Sequence, residues 1–389
     1  MDCDILIIGQ GGKTGFARVL KTIAVYLSRK FKIVYFAYNL YTQVKSELYV
    51  IETNKELGDI FGAKQVPVLI EKYKPNVIFM CHDYWLYDVH YNNFKRLGYA
   101  NKVVLYCPVD ENSPYVDRAY KLKNLSHIIF YTHYGMQLFL QEWNLAGYNH
   151  KNVVMPQIEI IPHGVDSTKF YPIVGGKKRA RQILFPDKKD MYDSFIILNG
   201  NRNTPRKRLD LTLMSFSLFV RNKPKHIYLY LQIDDNDCGV DLISYIKKLG
   251  IEDRIILSKF ETHNDEINDE QLNIIYNACD IGINTSSGEG WGLVSLEHAA
   301  TGAAQIVPNH TACKEIWYQS GLLIDLDRSS TENIIDTKHL AKLLSNVYND
   351  REYLKTLSDK SLHLAQEVEL SWDRICERWI NLFEQFIVK

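Results

Sequence analysis

The 389-residue chain has no Cys-x-x-Cys pair, no internal repeat and no low-complexity tract. It also lacks any apolar run near the roughly 20 residues that a membrane-spanning helix needs. Its seven cysteines (Cys3, Cys81, Cys107, Cys238, Cys279, Cys313 and Cys376) are odd in number and widely scattered, mostly in apolar runs. That pattern excludes a disulfide framework and a cysteine metal cage, and it predicts buried free thiols. Charge of one sign is missing too, with 46 basic residues balancing 46 acidic ones. A global attraction to nucleic acid or to an anionic membrane is thereby removed. The opening Met1 to Asp4 is acidic, and the apolar stretch Ile5 to Ile8 is brief, where a secretion signal is basic and longer. The expectation is a soluble cytoplasmic protein. Abundant Tyr, Asn, Ile and Lys suit an AT-rich genome, such as that of a large DNA virus (the cytoplasm then being the host's) or of a bacterium.

What is present is a rhythm of short apolar runs alternating with helical patterns. Ile5 to Ile8, Ile33 to Ala37, Val77 to Cys81, Val103 to Cys107, Ile128 to Tyr131 and Ile158 to Ile161 read as strands. Gly15 to Arg29, Tyr84 to Leu97 and Tyr134 to Trp143 read as helices between them. A second set of strands runs through Phe195 to Leu198, Ile227 to Gln232, Ile255 to Leu257, Ile281 to Asn284 and Gln305 to Val307. Its helices fall near Leu209 to Val220, Val240 to Leu249, Asp269 to Cys279 and Gly292 to Thr301, and the tail from Thr337 onward reads as all helical. The class is α/β, with two Rossmann-like, doubly wound halves facing a cleft. The first half is placed at 1–170 and the second at 182–370. Val174 to Arg181, glycine-bearing and basic, reads as a surface connection between them.

Three stretches carry candidate chemistry. In Ser286 to Glu297, a Gly-rich turn opens into a helix, with Glu289 on the turn and Glu297 eight positions on. Unpaired N–H groups and the positive dipole end at a helix start make a seat for phosphate, so Gly292, Leu293 and Val294 are candidate phosphate donors. Trp291 lies between turn and helix and is a candidate for donor contact. In Asn199 to Asp210, Arg202 and Lys207 stand five apart on a polar loop; alone, this reads as a solvated basic loop. Near the N-terminus, Gly9 to Gly15 follows a strand and precedes a helix. A Walker A loop needs glycine where Ile7 stands, and the dinucleotide fingerprint needs one where Thr14 stands. Gly11 and Gly12 therefore form either a plain tight turn or a phosphate-approaching one.

The run from Glu289 to Glu297 resembles the Glu-x7-Glu signature of retaining glycosyltransferases of family 4, which have the GT-B fold. The resemblance extends over nearly the whole chain. It implies that Glu289 holds donor-sugar hydroxyls, that Glu297 holds the ribose, and that Arg202 and Lys207 neutralise the leaving diphosphate. Met80 to Trp85 is similar to the family's His-x-His-Asp-Trp segment, with Met80 in place of the first His. It implies a role for His82 beside the reacting centre, against the plainer reading of a helix cap. Ile161 to Asp166 is similar to a Pro-Asn-Gly-Val-Asp element, with His163 at the Asn position and Gly164 expected at positive φ. Ser371 to Arg374 is similar to the start of the family's terminal helix, which implies that a C-terminal helix at 371–389 crosses back to the first half.

The implied activity is hexosyltransferase-like transfer with retention, from a nucleotide-diphosphate sugar to a hydroxyl of a glycan, lipid-linked or small-molecule acceptor. No cofactor is expected. Asp-x-Asp, which holds metal in the other large glycosyltransferase fold, occurs as Asp2/Asp4, Asp235/Asp237 and Asp325/Asp327. Three loosely placed copies read as chance loop acids, and the reaction as metal-independent. No nucleic-acid partner is expected. The basic clusters at Lys177 to Arg181 and Lys121 to Lys123 read as solvated surface, with contact to a phospholipid or lipid-linked acceptor as the alternative. A nucleotide-sugar epimerase, a phosphorylase of the same fold and a non-catalytic nucleotide-sugar-binding relative are the rival functions.

Overall fold

A computed structural model of the chain describes residues 2–12, 14–111, 113–148, 153–232, 238–258, 267–330 and 332–387. It divides into two compact units, one made of Met1–Gly164 with Trp372–Lys389 and the other of Val165–Ser371. Lys13, Asp235 and Asp237, which figured in the phosphate-loop and Asp-x-Asp readings, lie outside the described residues.

The strands of unit 1 are β1 (Ile5–Gly9), β2 (Ile33–Ala37), β3 (Val50–Thr53), β4 (Val77–Cys81), β5 (Val103–Cys107), β6 (His127–Phe130) and β7 (Gln157–Ile160). They form one parallel sheet in the order β3-β2-β1-β4-β5-β6-β7. Every residue of β1, β2, β4 and β5 is buried, as a parallel sheet covered by helices on both faces requires. The helices are α1 (Gly15–Leu27), α2 (Gln65–Tyr73), α3 (Trp85–Arg96), α4 (Val116–Leu122) and α5 (His133–Leu145). Strand order reverses between β1 and β4, so the crevice outside the carboxyl ends of those two strands is where such a sheet takes a ligand.

Unit 2 opens with α6 (Gly176–Leu184) and continues β8 (Phe195–Asn199), α7 (Leu209–Phe219), β9 (Ile227–Gln232), α8 (Leu242–Leu249) and β10 (Ile255–Ser258). There follow α9 (Asp269–Ala278), β11 (Ile281–Ile283), α10 (Leu293–Ala300), β12 (Ala304–Pro308), α11 (Thr311–Trp317), β13 (Leu322–Ile324), α12 (Thr337–Asn349) and α13 (Arg351–Ala365). Its parallel sheet runs β10-β9-β8-β11-β12-β13, and the order reverses between β8 and β11. The last helix, α14 (Trp372–Glu384), belongs to unit 1. Its buried residues Trp372, Ile375, Cys376, Trp379, Leu382 and Phe383 recur at helical spacing, and Trp379 packs 4.8 Å from both Phe79 and Tyr106 between ring centroids.

Two local readings are corrected. The stretch read as a surface connection is α6, because its basic residues find tertiary partners. Arg181 donates to the Ala278 carbonyl (2.8 Å) and to Asp280 Oδ2 (2.7 Å), and Lys177 Nζ donates to the Cys279 carbonyl (3.0 Å). Gly164 does not take a positive φ. The next residue, Val165, forms a parallel bridge with Ser371. The second basic cluster is also tied down locally, with Lys121 between Asp117 (3.2 Å) and Asp88 (3.4 Å). All seven cysteines are free, and all but Cys238 are buried. No described helix is long and apolar enough to cross a membrane.

Candidate functional site

At the switch point of unit 2, the loop after β8 and the loop after β11 are stitched together by short polar side chains. Asn199 at the end of β8 accepts from the backbone of Asn201 (3.1 Å) and donates to Thr212 (2.8 Å). Thr212 bonds Thr285 (2.7 Å), whose hydroxyl lies 3.1 and 3.0 Å from the carbonyls of Lys207 and Arg208. The N–H of Ser287 donates to the Arg206 carbonyl (2.9 Å). This lattice fixes where Lys207 and Arg206 emerge, at a 3-10 turn closed by Arg208 at a φ of +50°.

Both cations converge on Glu289. The Lys207 ammonium donates to Glu289 Oε1, and Arg206 donates to Oε2 (3.2 Å) and to the Gly288 carbonyl. Asn284, immediately after β11, donates to Oε1 (2.9 Å). Burial alone would raise the Glu289 carboxyl, but Lys207 and Arg206 override it and hold the group at about 2, so it is ionised at neutral pH. Burial shifts the Lys207 ammonium below its ordinary value, against the pull of Glu289. His310, following β12, is also buried here; burial lowers it to about 4 although Glu289 pulls it up, and it is neutral at pH 7.

The turn from Glu289 leads to α10 through Trp291, which is buried, and Gly292, whose φ of +95° is one that L side chains rarely adopt. The carbonyl of Gly292 accepts from Ser295 (3.1 Å), which leaves the half-buried Leu293 and Val294 supplying the first N–H groups of the helix. Gly200, on the β8 loop, abuts this helix start: a Cβ there would lie 3.0 Å from Val294 Cγ1. Glu297, about one turn into α10, is buried and accepts from the hydroxyl of Tyr276 on α9 (3.4 Å). Arg202 is exposed on the same loop as Lys207. Arg206, Asn284 and Thr311 were not singled out from the sequence. The five-residue spacing drew attention to Arg202, yet Arg206 is the guanidinium that joins Lys207 on Glu289.

In unit 1 the corresponding switch point holds Gly11, Gly12 and His82. Gly11 is clamped by Asn39, which accepts from its N–H (2.5 Å) and donates to its carbonyl (3.3 Å). A Cβ on Gly11 would fall 2.4 Å from Leu40 Cδ1, so the close approach of the chain demands glycine, while Gly12 turns at a φ of +77°. The ring of His82 stacks on Phe16 (4.8 Å), meets Trp85 edge-on (4.9 Å), and lies 3.4 Å from the Gln10 amide. Burial lowers it to about 4, leaving a neutral imidazole. It does not cap α3, which starts without any side-chain cap bond. His163 is likewise buried and neutral, held by Tyr106 (2.7 Å). Among the described residues, no group of three or more His, Cys, Asp or Glu is placed to hold a metal ion.

No protein-family model matches the chain. Over 159 residues, 39% of its length, it is 25% identical to mannosylfructose-phosphate synthase of Agrobacterium fabrum, and that match spans only 33% of the relative. Solved structures resemble it over nearly their full extent. Sucrose-phosphate synthase from Thermosynechococcus elongatus superposes with a TM-score of 0.74 at 15% identity, covering 98% of each chain. HepE of Anabaena, solved with UDP and glucose, gives 0.72 at 16% identity, covering 98% of this chain and all (100%) of that one. WaaG, a glycosyltransferase of lipopolysaccharide biosynthesis, gives 0.71 at 12% identity, covering 97% and 99%. These likenesses establish the fold, which is GT-B.

Proposed function

We propose that the protein is a retaining glycosyltransferase, moving a sugar from a nucleotide-diphosphate donor to a hydroxyl acceptor without a metal ion. The observation that carries this reading is the largely buried Lys207–Glu289 pair, set beside the start of α10 at the switch point of the unit 2 sheet. In this reading the pyrophosphate lies on the N–H groups of Leu293 and Val294, with Gly292 shaping their approach and Trp291 flooring the turn. Glu297 receives the ribose hydroxyls and Glu289 those of the donor sugar.

As the glycosidic bond breaks, negative charge grows on the leaving diphosphate. Lys207 and Arg202 stabilise that charge more than they stabilise the bound donor. The acceptor hydroxyl attacks on the face from which the diphosphate departs and gives its proton to a phosphate oxygen, so no covalent sugar intermediate on the protein is needed. We assign Gly11 and Gly12 to phosphate approach and His82, as a neutral imidazole, to the reacting centre. Their place at the carboxyl edge of β1 and β4 supports this.

HepE is solved in complex with UDP-glucose, which makes a UDP-sugar the first donor to try. The test is a thermal-shift panel of UDP-, GDP- and ADP-sugars, followed by turnover with a glycan, a sugar phosphate and a lipid-linked acceptor in the presence of EDTA. A donor at 100 times its Kd adds about 2.7 kcal/mol of stability. Transfer that survives EDTA and keeps the donor's anomeric configuration by NMR is expected. Inverted product, loss of activity in EDTA, or epimerisation of the donor without acceptor would each contradict the proposal.

A further inference from the structure

Glu289 is the group assigned to the donor sugar, yet its side chain is only 5% exposed and is already surrounded by donors. Oε1 takes Lys207 and Asn284, and Oε2 takes Arg206. A carboxylate accepts about four hydrogen bonds, so a sugar presenting two hydroxyls needs one of these partners to move. The three differ in their freedom to do so. Asn284 is buried, and its Oδ1 accepts from the Ser286 N–H (2.9 Å). The Lys207 side chain is 15% exposed, that of Arg206 42%. Arg206 has the most solvent of the three to swing into, and its main chain need not follow, because its carbonyl stays bonded to Ser287 (2.9 Å).

We propose that Arg206 and the donor sugar compete for the same two acceptors, Glu289 Oε2 and the Gly288 carbonyl. The guanidinium bridges both, and two adjacent sugar hydroxyls are the neutral chemistry that replaces a bridging pair of N–H donors. The inference rests on the donor reading above and deepens it. It makes Arg206 a specificity-determining residue that opposes sugar binding, favours donors with a vicinal diol, and leaves the diphosphate alone.

The experiment compares calorimetric affinities of UDP and UDP-glucose, and of GDP and GDP-mannose as a second pair, in wild type, Arg206→Ala and Arg206→Gln. The glutamine variant keeps part of the side-chain stem should alanine disturb the loop. A partly exposed ion pair contributes up to about fivefold in an equilibrium constant. Both variants are therefore expected to bind the nucleotide sugar roughly two- to fivefold more tightly, with nucleoside diphosphate affinity unchanged. Parallel weakening of both ligands would make Arg206 a phosphate ligand and overturn the inference, as would an unchanged sugar increment. If wild type binds no nucleoside diphosphate at all, the donor reading fails and this inference with it. Normal diphosphate affinity with no gain for the sugar overturns this inference alone.

Discussion

The backbone N–H of Glu289 donates to the hydroxyl of Thr311, 3.2 Å away, and Thr311 is held at a φ of +49°. A β-branched residue in the left-handed region is strained, and such strain persists where the surroundings over-determine it. Thr311→Ser keeps the acceptor and is expected to match wild type in urea unfolding. Thr311→Ala leaves the buried N–H of Glu289 unpaired and is expected to lose about 1–3 kcal/mol.

Lys207 is the cation closest to the chemistry in this account. Lys207→Ala is expected to lower kcat by roughly a hundredfold or more while raising donor KM far less, since the ammonium meets charge that develops only as the bond breaks. Steady-state kinetics on the donor identified by the panel decide it. Equal effects on both constants would reassign Lys207 to simple donor binding.

The depressed carboxyl of Glu289 makes a pH prediction of definite sign. Its folded value is about 2 against an ordinary 4.5, so the stability it contributes is fully present above pH 4.5 and lost as pH falls through the folded value. Urea unfolding of wild type and Glu289→Gln from pH 6 down to 2 is expected to show a stability gap that closes over the lower half of the range. A gap independent of pH would contradict the ionised, doubly paired carboxylate.

Gly292 and Gly11 are glycine for different reasons, and alanine should separate them. At Gly292 a Cβ would meet nothing within 4 Å, so Gly292→Ala is strained through its φ of +95° alone, at about 1–2 kcal/mol, and should weaken nucleotide binding by tilting the start of α10. At Gly11 the Cβ would collide with Leu40 and Ala37, so Gly11→Ala must displace the loop. Hydrogen exchange at the Gly11 amide, held by Asn39, is expected to accelerate in Gly11→Ala and to stay slow in Gly292→Ala.

Much of this fold was legible because parallel strands buried on both faces must be apolar throughout: β1, β2, β4 and β5 read directly from their sequences. The misses have local causes. β3 is an edge strand of sequence Val-Ile-Glu-Thr with its first residues exposed or half-buried, so no apolar run announces it. α2 carries Pro67 and begins without a side-chain cap. α6 starts at two positive-φ glycines, and its anchors are bonds to Ala278, Cys279 and Asp280, distant in sequence. At the site, spacing pointed to Glu289, Glu297 and Lys207. Arg206 was missed because its partner is 83 positions away, and Thr311 because backbone strain leaves no mark in composition.

The most direct test of the donor seat is a crystal structure of the protein with a bound nucleoside diphosphate. The account predicts a pyrophosphate within hydrogen-bonding distance of the Leu293 and Val294 N–H groups and of Lys207 Nζ, with the ribose hydroxyls on Glu297. A pyrophosphate bound elsewhere, or a ribose turned away from Glu297, would contradict it.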